Sequence, residues 1–209
     1  MNEVAARRVM ATLRSLTVLN NSPAEVDLLY VCNDETEEER SFQLIPPGQA
    51  RTQETFAEHK WRCRSRPDGT LLVTVACGDA DLFVTDLSPE LGEPRRLELD
   101  NYTQAEAEAV WLDGGSGAES SYLRAPPGGS CTQQTFVAHT WRLKSVSDAS
   151  LLATVVLGAA SPRLGLGGAP PPPGPSFYAQ RVTVGASGLA IRAHAAVSPH
   201  ALAAAAEVV

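Results

Sequence analysis

Thr135, His139 and Trp141 are the residues of this chain whose types and spacing could do chemistry. A hydroxyl and an imidazole can each exchange a hydrogen bond with a polar ligand atom, and an indole offers an apolar wall. On a regular strand, residues separated by even steps share a face, so these three would point the same way. Trp111 and Tyr122 lie upstream, where a neighbouring hairpin could bring them in to close a pocket. The same spacing occurs earlier as Thr55, His59 and Trp61, preceded by Tyr30 and Phe42. There tryptophan has become tyrosine and tyrosine has lost its hydroxyl, so the earlier set reads as a degenerate equivalent pocket. The chemistry is binding, with no reaction step. No acid–base pair, cofactor motif or nucleophile at a sharp glycine-rich elbow accompanies it, so the chain is not read as an enzyme and no cofactor is expected. A plainer reading stands beside this one, in which Trp61 and Trp141 are core residues and His59 is structural. His194 and His200 have no evident partners and carry no hypothesis.

Both sets sit in a duplicated stretch. FQLIPPGQARTQETFAEHKW at residues 42–61 returns as YLRAPPGGSCTQQTFVAHTW at residues 122–141, an offset of 80. The match continues from Leu71–Val75 into Leu151–Val155. Upstream the offset is 81, pairing Asn20 with Asn101 and Tyr30 with Trp111. A period of about 80 is too long for a solenoid unit and suits two small tandem domains. Each copy spans roughly 70 residues and buries a limited core, which favours packing of the copies on each other.

The elements that must position these residues read as short strands. Val26–Val31, Trp61–Ser65, Leu71–Ala76 and Asp81–Val84 are rich in β-branched or aromatic residues and bounded by turns, as at Arg66-Pro67-Asp68-Gly69. The second copy repeats the pattern at Ala109–Leu112, Thr140–Leu143 and Leu151–Leu157, with a turn at Gly114-Gly115-Ser116-Gly117. Pro46-Pro47-Gly48 and Pro126-Pro127-Gly128 are turns by composition. An all-β chain is expected, built as two tandem β-sandwich modules. The expected organisation is a helical segment over 1–15, β-domains over 16–90 and 91–164, a Pro/Gly linker over 165–176, and a strand-helix tail over 177–209. Within the tail, strands are expected at Gln180–Val184 and Leu189–Ala193, and a helix from Pro199 with Ser198 as its cap.

Composition excludes several classes. The 209 residues carry a net charge of −7, and no aromatic-basic stripe runs against it, so nucleic acid is an unsuitable partner. No uninterrupted apolar run of membrane-spanning length occurs, and the first residues, MNEVAARRVMATLRSL, do not read as a secretory signal. A cytoplasmic or nuclear location is expected. Four cysteines form neither a C-x-x-C nor a metal-ligand pattern. In the repeat register Cys63 faces Leu143 and Cys77 faces Leu157, which predicts buried, inert thiols; Cys32 and Cys131 face Asp113 and Arg51 and read as surface or loop positions. A reducing compartment is favoured. The acidic run Asp34–Glu39 reads as a solvated hairpin tip.

The joint pattern resembles the β-domain of the von Hippel-Lindau tumour suppressor family. It rests on Asn20-Asn21-Ser22-Pro23, Leu29-Tyr30, Phe42, Ile45-Pro46-Pro47-Gly48 and Thr55-Phe56-Ala57-Glu58-His59-Lys60-Trp61 in the first copy. In the second it rests on Asn101, Val110-Trp111, Tyr122, Pro126-Pro127-Gly128 and Thr135-Phe136-Val137-Ala138-His139-Thr140-Trp141. The resemblance covers residues 16–87 and 95–164. It implies recognition of 4-hydroxyproline in a peptide, with Thr135 and His139 reading the prolyl hydroxyl and Trp141 walling the ring. Trp111 would close the pocket, and the Tyr122 hydroxyl would bond the peptide backbone. It also implies a ubiquitin-ligase substrate receptor, but the box by which that family docks the elongin adaptor, a Leu-x-x-x-Cys following a Ser or Thr, is missing: the Ser/Thr-Leu starts, such as Ser15-Leu16, lack a cysteine four residues after the leucine. The alternative is a tandem β-domain interaction or scaffold protein without hydroxyproline specificity.

Overall fold

The computed structural model describes residues 12–32 and 36–169, and the backbone of 180–184 and 189–193. Every regular element among them is a strand. Contacts divide the chain into residues 1–169 and 170–209. The first copy contributes β1 (Leu13–Leu19), β2 (Val26–Val31), β3 (Glu39–Ile45), β4 (Ala50–Phe56), β5 (Lys60–Ser65), β6 (Leu71–Cys77) and β7 (Leu82–Thr85). The second repeats them as β8 (Arg95–Asn101), β9 (Ala107–Leu112), β10 (Glu119–Ala125), β11 (Ser130–Thr135), β12 (Thr140–Ser145), β13 (Leu151–Leu157) and β14 (Arg163–Leu166). In the second unit β15 (Gln180–Val184) pairs antiparallel with β16 (Leu189–Ala193), as expected of the tail's strands.

The copies do not close as two separate sandwiches. Six strands form one sheet in the order β11-β8-β14-β7-β1-β4, and eight form the other in the order β10-β9-β12-β13-β6-β5-β2-β3. Each copy supplies half of both sheets, and the halves join at two antiparallel seams, β6 with β13 and β7 with β14. The reason is physical. A half-sandwich of about 70 residues leaves apolar strands at its open side, and β6 and β13 are buried along most of their length. Joining them satisfies both ladders and covers both apolar edges at once. One continuous core results, in which Leu16, Leu82, Leu99 and Leu164 of the first sheet meet Val26, Cys63, Val75, Leu143 and Val155 of the second.

Strand faces follow the two-residue period. In β5 the buried positions are Trp61, Cys63 and Ser65, and in β12 they are Trp141, Leu143 and Ser145. The outward positions carry charge. Arg62 and Arg64 bind Glu39 across β2, and Arg142 and Lys144 bind Glu119 across β9. Part of the acidic run is therefore committed to ion pairs rather than left in solvent, since Glu37 also meets Lys60 and Arg62. These contacts hold the Glu37, Glu39 and Glu119 carboxyls below their ordinary range. The leading causes are hydrogen bonds from Lys60 to Glu37, from Arg64 to Glu39 and from Lys144 to Glu119.

The shared Asn and Pro-Pro-Gly motifs are one device. Asn20 is fully buried, and its amide donates to the carbonyls of Ala24 and Ile45 while its side-chain oxygen accepts from Ser22. Its backbone exchanges bonds with Gly48 and Gln49. Asn101 does the same with Ala105, Ala125, Thr103, Gly128 and Gly129. In both turns the third residue has positive φ, 73° at Gly48 and 71° at Gly128, and the first carbonyl accepts from the fourth amide. This is a type II turn with proline and glycine at its centre.

Two sequence expectations are corrected. Leu13, Arg14 and Ser15 lie in β1 and Thr12 precedes it, so none of them is helical; residues 1–11, like the 199–209 helix, fall outside the described residues. Cys131 is a half-buried strand residue of β11 packed against the core, because that position faces Leu99 across the ladder rather than a loop. Cys32 directly follows β2 at a loop position, as expected, and is half-buried. Cys63 and Cys77 are buried as expected, and all four thiols are free.

Candidate functional site

Thr135 ends β11 in the six-stranded sheet, and Trp141 lies in β12 of the eight-stranded sheet. They do not share a strand. Between them Phe136–His139 forms a turn in which the His139 amide donates to the Phe136 carbonyl at 3.2 Å. Ala138 takes φ 65° at its third position, and its amide is tied to the Leu157 carbonyl. The turn carries the chain from one sheet to the other at the open side of the sandwich, so Thr135 and Trp141 approach each other across the gap. Trp141 Nε1 donates to Thr135 Oγ1 at 2.9 Å, and Thr135 Oγ1 lies 3.3 Å from His139 Nδ1. The expected trio is assembled, but by a turn and not by strand alternation.

The aromatic walls come from the adjoining strands. Trp111 of β9 pairs in register with Trp141. Tyr122 of β10 is half-exposed and meets Trp141 edge-on at 5.5 Å and 76°. Trp111 and His139 lie 5.5 Å apart with rings tilted at 45°, and Phe136 flanks His139 at 5.4 Å. Together with Gln133 and Gln134 these side chains enclose a pocket of about 280 Å³. Trp111, Tyr122, His139 and Trp141 line it. Thr135 does not; it is 1% exposed and sits behind His139 and Trp141. Trp111 Nε1 is buried and has no hydrogen-bond partner within the protein. Sequence reasoning missed Gln133, Gln134 and Phe136 as lining, although all three belong to the repeated TQ-x-TF string.

The first copy builds a corresponding pocket of about 340 Å³ from Tyr30, Arg40, Phe42, Gln53, Glu54, Phe56, His59 and Trp61. Its frame is the same, with Trp61 Nε1 donating to Thr55 Oγ1 at 2.9 Å. Glu58 takes the turn's positive φ, 69°. His59 packs edge-on against Tyr30 at 5.2 Å and Phe56 at 5.4 Å. Trp61 is crossed by Tyr30 at 5.3 Å and Phe42 at 5.4 Å.

A larger concavity, about 600 Å³, lies along loops that include Asp79, Asp81, Ser147 and Asp148. It has no aromatic wall, and its acids are occupied: Asp81 accepts from the Ser15 amide and Asp148 from the Ser150 amide. Size alone does not make a site, and the ring-lined pockets are the better candidates. Among the described residues no cluster of His, Cys, Asp and Glu could hold a metal ion, and no helix is long and apolar enough to cross a membrane. No family model matches the chain, and no curated protein matches it.

Proposed function

We propose that the second-copy pocket binds a proline-type ring of a peptide and reads a 4-hydroxyl on it, making the chain a peptide-binding protein whose two β copies are of the von Hippel-Lindau β-domain kind. The observation that carries this reading is Trp111, whose Nε1 is buried and unpartnered and whose side chain lines the pocket beside the rings of Tyr122, Phe136, His139 and Trp141 and the amides of Gln133 and Gln134. A buried donor without an acceptor is costly, by about 1–3 kcal/mol, and a ligand oxygen would relieve it. The roles differ from the expected ones. Thr135 Oγ1 accepts from Trp141, and in the histidine tautomer whose Nδ1 is unprotonated it donates a hydrogen bond to that nitrogen, so that Nε2 carries the proton. His139 Nε2–H then donates to the prolyl hydroxyl, and Trp141 and Tyr122 pack the ring. Thr135 positions the reader and does not touch the ligand.

Binding of matched peptides that differ only in the proline hydroxyl tests the reading by calorimetry. The hydroxylated peptide is expected to bind at least about tenfold more tightly, equivalent to about 1.4 kcal/mol. Equal affinities would remove the hydroxyproline specificity and leave an interaction protein. Assembly into a ubiquitin ligase is not proposed, because no Ser/Thr-Leu start carries the adaptor-docking cysteine.

A further inference from the structure

The first-copy pocket does more than echo the second. It keeps the frame, the rings and the histidine, but lacks the Tyr122 hydroxyl and the threonine contact that meets His139 Nδ1 in the second copy. The Thr–Trp hydrogen bond is 2.9 Å in both copies, and the turn residue holds φ 69° at Glu58 and 65° at Ala138. Phe42 stands in place of Tyr122, so the exposed ring carries no hydroxyl. His59 is held between Tyr30 and Phe56, whereas His139 has Thr135 Oγ1 at its Nδ1. Five rings, of Tyr30, Phe42, Phe56, His59 and Trp61, line a space of about 340 Å³, and Arg40, Gln53 and Glu54 complete its lining.

We infer that this pocket is a second binding site, one that takes an unmodified proline ring of a peptide. The inference rests on the proline-ring reading of the second pocket. Proline fits the chemistry left here. It brings an apolar ring and no backbone N–H into the cage, so nothing buried needs a partner that Phe42 cannot give. A 4-hydroxyl would enter a site where no threonine hydroxyl meets the histidine as Thr135 meets His139, and where Phe42 stands in place of Tyr122, so the hydroxyl gains less here than in the second pocket. β3 and β4 are the edge strands of their sheets, which leaves the pocket reachable by an extended peptide without opening the core.

The two sites are far enough apart to fill together. Register places Tyr30, Trp61, Val75, Val155, Trp141 and Trp111 in one row across the eight-stranded sheet. The end members are five strand spacings apart, roughly 24 Å, with buried valines between them. One chain therefore binds two peptides, each at its own end.

Calorimetry on the full chain decides it, using a short peptide with one central proline and its hydroxyproline twin, against Phe42→Ala and Tyr122→Ala. Phe42 is 52% exposed and Tyr122 53%, so both variants should keep the fold, checked by thermal melting. Phe42→Ala is expected to weaken the proline peptide at least about fivefold, the scale of losing one aromatic wall, while Tyr122→Ala leaves it unchanged. The hydroxyproline twin should respond to Tyr122→Ala. Failure of the proline peptide to bind, or binding indifferent to Phe42→Ala, overturns the second site, and so does capture of a trimethyllysine peptide in its place. Loss of hydroxyproline binding beside Phe42-dependent proline binding would fail the second-copy reading alone.

Discussion

Thr135 acts on the pocket from behind. Its hydroxyl is the acceptor for Trp141 Nε1 and the neighbour of His139 Nδ1, all within a nearly dry corner. Thr135→Val keeps the shape and strands the indole N–H, so it should cost about 1–3 kcal/mol of stability and also blunt hydroxyproline preference. Denaturant unfolding and peptide calorimetry on the same variant check both; a loss of preference at unchanged stability would place Thr135 in direct contact with ligand. The five second-copy residues were legible as a group from their spacing. Their geometry was not, because the crossing turn places positive φ on Ala138 and Glu58, residue types that give no sign of it. The cysteines were legible in full where the repeat supplied a hydrophobic partner. Burial pushes the Cys63 and Cys77 thiols up to about 12, with Asp27 adding for the first and Asp81 for the second, where Arg14 opposes. Unfolded thiols ionise near ~8.5. Folded-state pKa values above the unfolded one mean stability that is complete below ~8.5 and lost as pH rises toward the folded value. Melting temperature should therefore fall through the alkaline range, and fall less in a Cys63→Val/Cys77→Val chain.

At the scale of elements, the strands that sequence reading found are those with apolar alternation, such as β2, β5, β12 and β13. Of the missed ones, β3, β4, β10 and β11 flank the Pro-Pro-Gly turns, and β1, β8 and β14 lie elsewhere. β11 reads Ser-Cys-Thr-Gln-Gln-Thr and is buried fully at Thr135 alone, so it offers no hydrophobic period to see. β3 and β10 are likewise edge strands with polar, exposed sides. Their positions are set by hydrogen bonding, chiefly by the buried asparagines that clamp each turn. Asn101→Ala removes the donors to the Ala105 and Ala125 carbonyls and the acceptor for Thr103. Each buried group so stranded costs about 1–3 kcal/mol. The variant should unfold at markedly lower denaturant and lose peptide binding with its stability, whereas an Asn101→Ala chain as stable as its parent would show that water replaces the clamp.

The duplication announced two copies, but nothing in a repeat says how its copies join. Small residues at the seam carry that information, and it is visible only once the strands are placed. A Cβ on Gly78 would lie 2.1 Å from the Leu151 carbonyl oxygen, and one on Gly158 would lie 2.3 Å from that of Leu71. The amides of Gly78 and Asp79 bond the carbonyls of Leu152 and Leu151, and Gly158 and Ala159 return the same bonds to Leu72 and Leu71. The two copies thus grip each other through matched backbone contacts at both ends of the β6–β13 ladder. A chain cut to residues 90–169 would expose the seven-residue β13 and the four-residue β14 as edges, each missing its antiparallel partner. Such an edge recruits another strand. The second half alone is therefore expected to pair through β13 with a second copy of itself, rebuilding the seam with two identical halves. Light scattering on the purified fragment should report a dimer or larger species, and Leu152→Lys within β13 should abolish it at the expense of solubility. A fragment that runs as a stable, folded monomer would show that each copy is self-sufficient and that the seam joins two finished domains.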